Sequence, residues 1–116
     1  MSEKGQEFFK YLDDRKSEVL SEVKSLAAED RTDESNILKA KANIYDISKA
    51  VFGVAEKAVL EEQLRDEFLK KFGNITGQWE KAYEQAKVHD DSYKIFVEEA
   101  KLSAVSEIKE KAAELF

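Results

Sequence analysis

Residues 37–59 read ILKAKANIYDISKAVFGVAEKAV, and this stretch decides the fold. Its apolar residues recur every three or four positions, which is the spacing of one face of an α-helix. They form two neighbouring stripes: Ile37, Ala40, Ile44, Ile47, Val51 and Val54 in the first, and Leu38, Tyr45, Phe52 and Val59 in the second. Together the stripes cover nearly half of the circumference. The sequence therefore predicts either a central helix with several neighbours or a helix that keeps one stripe for another chain.

The preceding segment, residues 3–28, has the same helical periodicity. Its apolar seam repeats in sevens and is interrupted only by Lys16. The next five residues, 29–33, contain no apolar side chain and are rich in residues that cap helices, so the first helix should end there. Thr32 or Asp33 is the predicted N-cap of the second helix. Because the loop is short, the first two helices should be antiparallel neighbours.

The third rod is harder to define from the pattern. The apolar face rotates past residue 58, which indicates a kink or break between residues 56 and 60, although good helix formers there leave continuity open. Further on, residues 72–77 read FGNITG. Two glycines and an asparagine are typical of a helix C-terminus followed by a turn, so the third rod is predicted to break at Gly73–Gly77. A short helix should then run to about Val88.

The last helix follows a second polar break at residues 89–92, with Asp90 or Asp91 as its N-cap. No strand-type alternation occurs in the sequence, and 116 residues suit one domain with one core. We therefore expect a single all-α domain over residues 1–116. It should be an antiparallel helical bundle of four rods, with about five helices because the third rod is broken.

Composition narrows the function classes. The chain contains no cysteine, which excludes disulfides and thiol catalysis, and a net charge of −6 argues against nucleic-acid binding. The lysines and arginines are interspersed with acids rather than clustered. No apolar run is long enough for a signal peptide or a membrane span. A cytoplasmic protein with neither nucleic acid nor membrane as partner is the resulting expectation.

No catalytic or metal-binding constellation is recognisable. His89 is the only histidine, and its neighbours Asp90 and Asp91 are better explained as helix-capping residues than as partners of a proton-transfer base. One histidine cannot supply the paired motifs of di-iron bundles, and the acidic loops lack the calcium-loop pattern. We expect no cofactor and no enzymatic activity. An unrecognised enzyme that uses the acidic loops is a third and weaker reading.

Two candidate sites remain. Leu38, Tyr45, Phe52 and Val59 form a candidate interface if the second stripe is not covered within the monomer. Phe68, Phe72, Trp79 and Tyr83 form a candidate apolar pocket, because each pair is four residues apart on one helix face. The first site favours a non-enzymatic protein-interaction or homodimerisation module. The alternative is a small-ligand-binding bundle with its pocket near Trp79.

Overall fold

The computed structural model describes residues 2–116, and this part of the chain folds into an antiparallel bundle of four α-helices without a strand. The helices are α1 (Glu3–Ala28), α2 (Thr32–Ala58), α3 (Glu61–Val88) and α4 (Ser92–Leu115). The predicted all-α bundle of four rods is thus confirmed, as is the break before residue 60. The bundle has one end with the 29–31 and 89–91 loops, called here the loop end, and one end with both chain termini.

α2 is the central helix of the bundle. It packs against α1, α3 and α4, whereas α1 touches α4 over a shorter stretch. Its buried residues come from both predicted stripes, with Ile44 and Val51 from the first and Tyr45 and Phe52 from the second. A helix with two apolar stripes can bury both only between several neighbours, which explains why the wide apolar arc of α2 takes the central position.

The core at the chain-terminus end is an aromatic cluster around Phe52. The Phe52 ring is fully buried, and its centroid lies 4.9 Å from Phe8, 5.4 Å from Phe9, 5.8 Å from Phe68 and 5.7 Å from Phe116. These are the tilted and edge-on arrangements that aromatic rings prefer. Because the rings come from α1, α2, α3 and the residue after α4, one cluster joins all four helices.

The predicted break of the third rod at Gly73–Gly77 is wrong, and so is the count of about five helices. α3 continues through both glycines, and neither glycine has a positive φ. Each glycine in a helix costs only about 1 kcal/mol relative to alanine. The combined burial of Phe72 and Thr76 offsets this cost, because a large aromatic side chain contributes about 1.5–3 kcal/mol when buried.

One turn connects α1 to α2 and a matching turn connects α3 to α4, so that each pair of helices forms a hairpin. Asp30 and Asp90 adopt left-handed backbone conformations, with φ of 62° and 54°. In the first turn the Arg31 amide donates to Leu26 O at 2.9 Å, and in the second the Asp91 amide donates to Ala86 O at 3.0 Å. These backbone bonds are those of a Schellman motif, which reverses the chain within three residues.

The start of α4 was predicted correctly and the start of α2 was not. Asp91 caps α4 by accepting a hydrogen bond from the Lys94 amide at 3.1 Å. α2 instead begins directly after Arg31, which makes no side-chain capping bond, so the predicted caps Thr32 and Asp33 already lie inside the helix.

Replacing the helical glycines of α3 should stabilise the fold. A Cβ atom added at Gly73 or Gly77 meets nothing within 4 Å, so Gly73→Ala and Gly77→Ala should each raise the free energy of unfolding by about 1 kcal/mol. Gly53→Ala in α2 is the matched control, since it has the same open surroundings in a helix that the sequence predicts without a break. Urea denaturation measures all three. Destabilisation by the α3 substitutions alone would show that residues 73–77 form a turn after all.

Truncating the central ring should be severe. Phe52→Ala removes a fully buried ring with four aromatic neighbours, and we expect a loss of about 3–5 kcal/mol in the free energy of unfolding. Val54→Ala in the same helix is the control, because its side chain is 57% exposed and its loss should cost less than about 0.5 kcal/mol. Thermal unfolding followed by circular dichroism gives both values. Equal effects of the two substitutions would contradict the central position of Phe52.

Candidate functional site

The continuous hydrophobic core stops before the helices reach the loop end. Its last members in that direction include Val19 of α1, Ala42 of α2 and Ala104 of α4. Val23 is buried beyond this level, but it lies outside the core and belongs to the α1–α2 hairpin, where its carbonyl oxygen accepts a hydrogen bond from Ser35 Oγ at 3.4 Å. The α1–α2 hairpin is therefore closed on itself beyond the point where it packs against α4.

An open groove of about 810 Å³ lies in this region, between the α1–α2 hairpin and α4. Its apolar lining is shared among the three helices and consists of Leu26, Ile37, Leu38, Phe96 and Ala100. Phe96 is 56% exposed, which is unusual for a large aromatic side chain whose neighbours on the other wall are also apolar. We call this region the loop-end groove.

Acidic side chains border the loop-end groove. Glu22 of α1, Glu34 of α2 and Glu99 of α4 line it together with one basic residue, Arg31. Arg31 forms ion pairs with Glu34 and with Glu29, the latter at 3.3 Å, while Glu99 accepts a hydrogen bond from Tyr83 OH at 3.1 Å. The groove thus combines an apolar floor with a border in which negative charge predominates.

An ionic cluster lies beyond the groove, with Glu107 one helical turn past the lining residue Ser103. The Glu107 carboxylate of α4 accepts a hydrogen bond from Arg15 Nε of α1 at 2.8 Å and one from Tyr45 OH of α2 at 3.3 Å. It also forms an ion pair with Lys41 Nζ of α2 at 3.2 Å. Because these donors come from two other helices, Glu107 ties α4 to the α1–α2 hairpin. Charge-assisted hydrogen bonds of this kind are roughly twice as strong as neutral ones.

The cluster changes the acidity of its members. Burial alone would raise the pKa of Glu107, but the hydrogen bonds from Arg15 and Lys41 outweigh it and lower the pKa of this carboxyl below its ordinary value. Burial, followed by the nearby Glu107 charge, raises the pKa of Tyr45 to about 12. The hydrogen bond to Glu107 also raises the pKa of Arg15. Glu107 and Arg15 therefore stay charged, and Tyr45 stays neutral, across the physiological pH range.

The four residues of the predicted interface have different surroundings. Tyr45 and Phe52 have no exposed surface, and Val59 is half-buried against the core. These three side chains fill the interior of the monomer, as expected for a central helix, and Tyr45 and Phe52 cannot touch another chain while the bundle is closed. Leu38 is also half-buried, but it lines the loop-end groove and is the member of the set with a surface open to a partner.

The four residues of the predicted pocket differ in their surroundings: Phe68 and Phe72 belong to the hydrophobic core, Trp79 packs against the same core, and Tyr83 lies outside it. Phe68 and Phe72 are buried, with their rings stacked at 5.2 Å in the aromatic core. Trp79 and Tyr83 lie farther along α3 and are half-buried. Lys101 Nζ lies 5.1 Å from the Trp79 ring centroid and covers it from α4. The structure therefore does not bring these four aromatic side chains together around one cavity.

The sequence pattern did not single out three residues that the structure makes prominent. Phe96 is exposed and Glu107 is the centre of the ionic cluster, yet each is an ordinary member of a helix with mixed apolar and charged residues. Glu98 is only 5% exposed, and both its carboxylate oxygens lie 3.3 Å from Lys101 Nζ. Its spacing of three from Lys101 was the one available signal, because it is that of a helical ion pair.

Other chemistry has little support in the geometry. Within residues 2–116, no group of three or more histidine or carboxylate side chains is placed to hold a metal ion. His89 is exposed in the loop after α3. None of the described helices is long and apolar enough to cross a membrane.

Protonation of Glu107 should weaken the fold. A carboxyl whose folded pKa is lowered contributes stability above its unfolded pKa, and this contribution is lost as the pH falls below about 4.5, the ordinary value. Glu107→Gln should therefore reduce the free energy of unfolding by about 1–2 kcal/mol at pH 7, and the difference from wild type should shrink in acid. Chemical denaturation at several pH values measures it.

Glu114→Gln is the matched control for this experiment. Glu114 is on the same helix and pairs with Lys111 at 3.3 Å, but its side chain is 69% exposed. Its substitution should change stability by less than about 0.5 kcal/mol at any pH, as for most surface ion pairs. A Glu107→Gln deficit that persists unchanged at low pH would show that packing, not charge, accounts for the loss.

No protein-family model, curated protein or solved structure matches this chain. The geometry and charge of the loop-end groove, which joins surfaces of three helices, are the basis on which a function is proposed.

Proposed function

We propose that this chain is a non-enzymatic protein-interaction module that binds a partner in the loop-end groove. The supporting observation is Phe96, which remains 56% exposed opposite apolar residues of α1 and α2 beyond the end of the core. Single exposed apolar residues are common on protein surfaces. An exposed aromatic ring that faces apolar side chains from two other helices is instead typical of a binding surface.

The groove suits a protein partner better than a small molecule. Sites for small ligands bury most of the ligand surface, whereas the loop-end groove has walls from α1, α2 and α4 and is open to solvent along its length. A homodimer through the second stripe of α2 has little surface available, since Tyr45 and Phe52 are fully buried. Binding of a different protein through the groove accordingly replaces homodimerisation through α2 as the favoured mode.

Site-specific photo-crosslinking tests this function. A photoreactive amino acid at position 96 should form a discrete adduct in cells that express the protein, whereas the same amino acid at position 54 should not. Val54 is a close match for Phe96, because it is 57% exposed and helical but lies on α2 away from the groove lining. The adduct should also disappear when Ala100→Glu is introduced, since a charge on the groove floor opposes apolar docking.

Each result of this experiment decides between the readings. A partner identified by mass spectrometry that binds the purified wild-type protein but not the Ala100→Glu variant supports the proposal. An adduct of twice the chain mass would show a homodimer instead. Equal labelling at positions 96 and 54, or none at either, would contradict a protein-binding role for the groove.

A further inference from the structure

The length of the loop-end groove limits what it can hold. Its lining spans residues 96–103 of α4 and residues 31–38 of α2, which correspond to about 10 Å along each helix axis. This is the length of about two helical turns. The walls are helices throughout, so the groove offers no sheet edge to which an extended peptide can add, and the fitting partner element is a short amphipathic helix.

The charge around the groove indicates which charge the side chains of a bound helix should carry. A shallower depression adjoins the groove along α1 and shares Glu22, Leu26 and Arg31 with it. Together the two depressions are lined by one arginine and five glutamates, namely Glu18, Glu22, Glu29, Glu34 and Glu99. Glu18 pairs with Arg15, and Glu29 and Glu34 pair with Arg31, so within residues 2–116 Glu22 and Glu99 are the two of these glutamates without an ion pair. Opposite charges on the two sides of an interface raise the association rate and exclude wrong partners. An apolar floor between acidic borders therefore suits a helix with one apolar face and lysines or arginines beside it.

The same charges oppose a second copy of this chain as the occupant. In a two-fold symmetric dimer through the groove, the acidic border of one protomer would face the identical border of the other. The chain also carries a net charge of −6, so the approach of two copies is unfavourable at any distance within the screening length. The groove is thus better matched to another protein than to itself.

We propose that the loop-end groove binds a short, basic amphipathic helix of a different protein, with Phe96 packing on its apolar face and glutamates on both walls contacting its cationic side chains. This inference rests on the proposed interaction function and adds the chemistry of the partner. Leu26, Leu38 and Phe96 form the apolar contact, while Glu22 of α1 and Glu99 of α4 line the groove beside it.

Two synthetic helices of about four turns test the charge selectivity. Both have leucines at helical spacing on one face; one has lysines on the flanking positions and the other has glutamates. Fluorescence anisotropy with the full-length protein should show binding of the lysine peptide alone, and its affinity should fall as salt is added because salt screens the border charges. Equal binding of both peptides, or binding of neither, would overturn the proposal.

Variants of the protein locate the binding site. Phe96→Ala should lower the affinity for the lysine peptide by about tenfold or more, as expected for a central aromatic contact. Val54→Ala should leave this affinity unchanged. The double variant E22Q/E99Q should weaken binding and flatten its salt dependence. Both glutamates are exposed, so this variant is expected to fold, and its circular dichroism spectrum verifies that. Unchanged affinity in Phe96→Ala would place the peptide elsewhere and overturn the assignment.

The crosslinking experiment tests the interaction function and the peptide experiment tests the chemistry of the partner, so either can fail without the other. If position 96 captures a partner through an acidic or non-helical segment, the interaction function stands and the inference about a basic helix is wrong. If position 96 captures another copy of this chain, the groove is a homodimer interface. If crosslinking fails as well as peptide binding, both the function and its partner chemistry are refuted.

Discussion

The four helices depend on one shared ring, that of Phe52. Aromatic side chains from α1, α3 and the C-terminal residue surround it at centroid distances of 4.9 to 5.8 Å, so the helices must converge where these rings meet. Aromatic rings bury more surface than any other side chains and keep preferred relative orientations. The chain-terminus end of the bundle is therefore both its most apolar part and the part that determines how the helices align.

The loop end lacks a comparable residue shared by all four helices. The last core members in this direction, Val19, Ala42 and Ala104, are small, and two of them are alanines. Small side chains extend too little to fill the space between the α1–α2 hairpin and α4. The Schellman turns at Asp30 and Asp90 meanwhile close each hairpin through its own backbone. Each hairpin is thus closed at this end by backbone hydrogen bonds of its own turn.

The sequence predicted the architecture better than the site, for physical reasons that differ between helices. The two stripes of α2 are regular because a central helix must be apolar on a wide arc, so its position was foreseeable. Gly73 and Gly77 were misread because a local cost of about 1 kcal/mol each was weighed without the burial of Phe72 and Thr76. The groove was not foreseeable: α4 has apolar residues on several sides, and periodicity alone does not show that Phe96 is left uncovered while Ile108 is buried.

If a partner binds in the loop-end groove as we propose, the ionic cluster at Glu107 would limit how deep its apolar side chains can reach. An apolar side chain that passed Ser103 would displace water from the Arg15, Lys41 and Glu107 charges without replacing any of their hydrogen bonds. Removing solvent from charges in this way costs several kcal/mol per ion unless new partners are supplied. The cluster is therefore a boundary as well as a tie between α4 and the α1–α2 hairpin. It would confine the apolar contact of the proposed partner to the two turns nearest the loops, where the acidic border would favour cationic side chains.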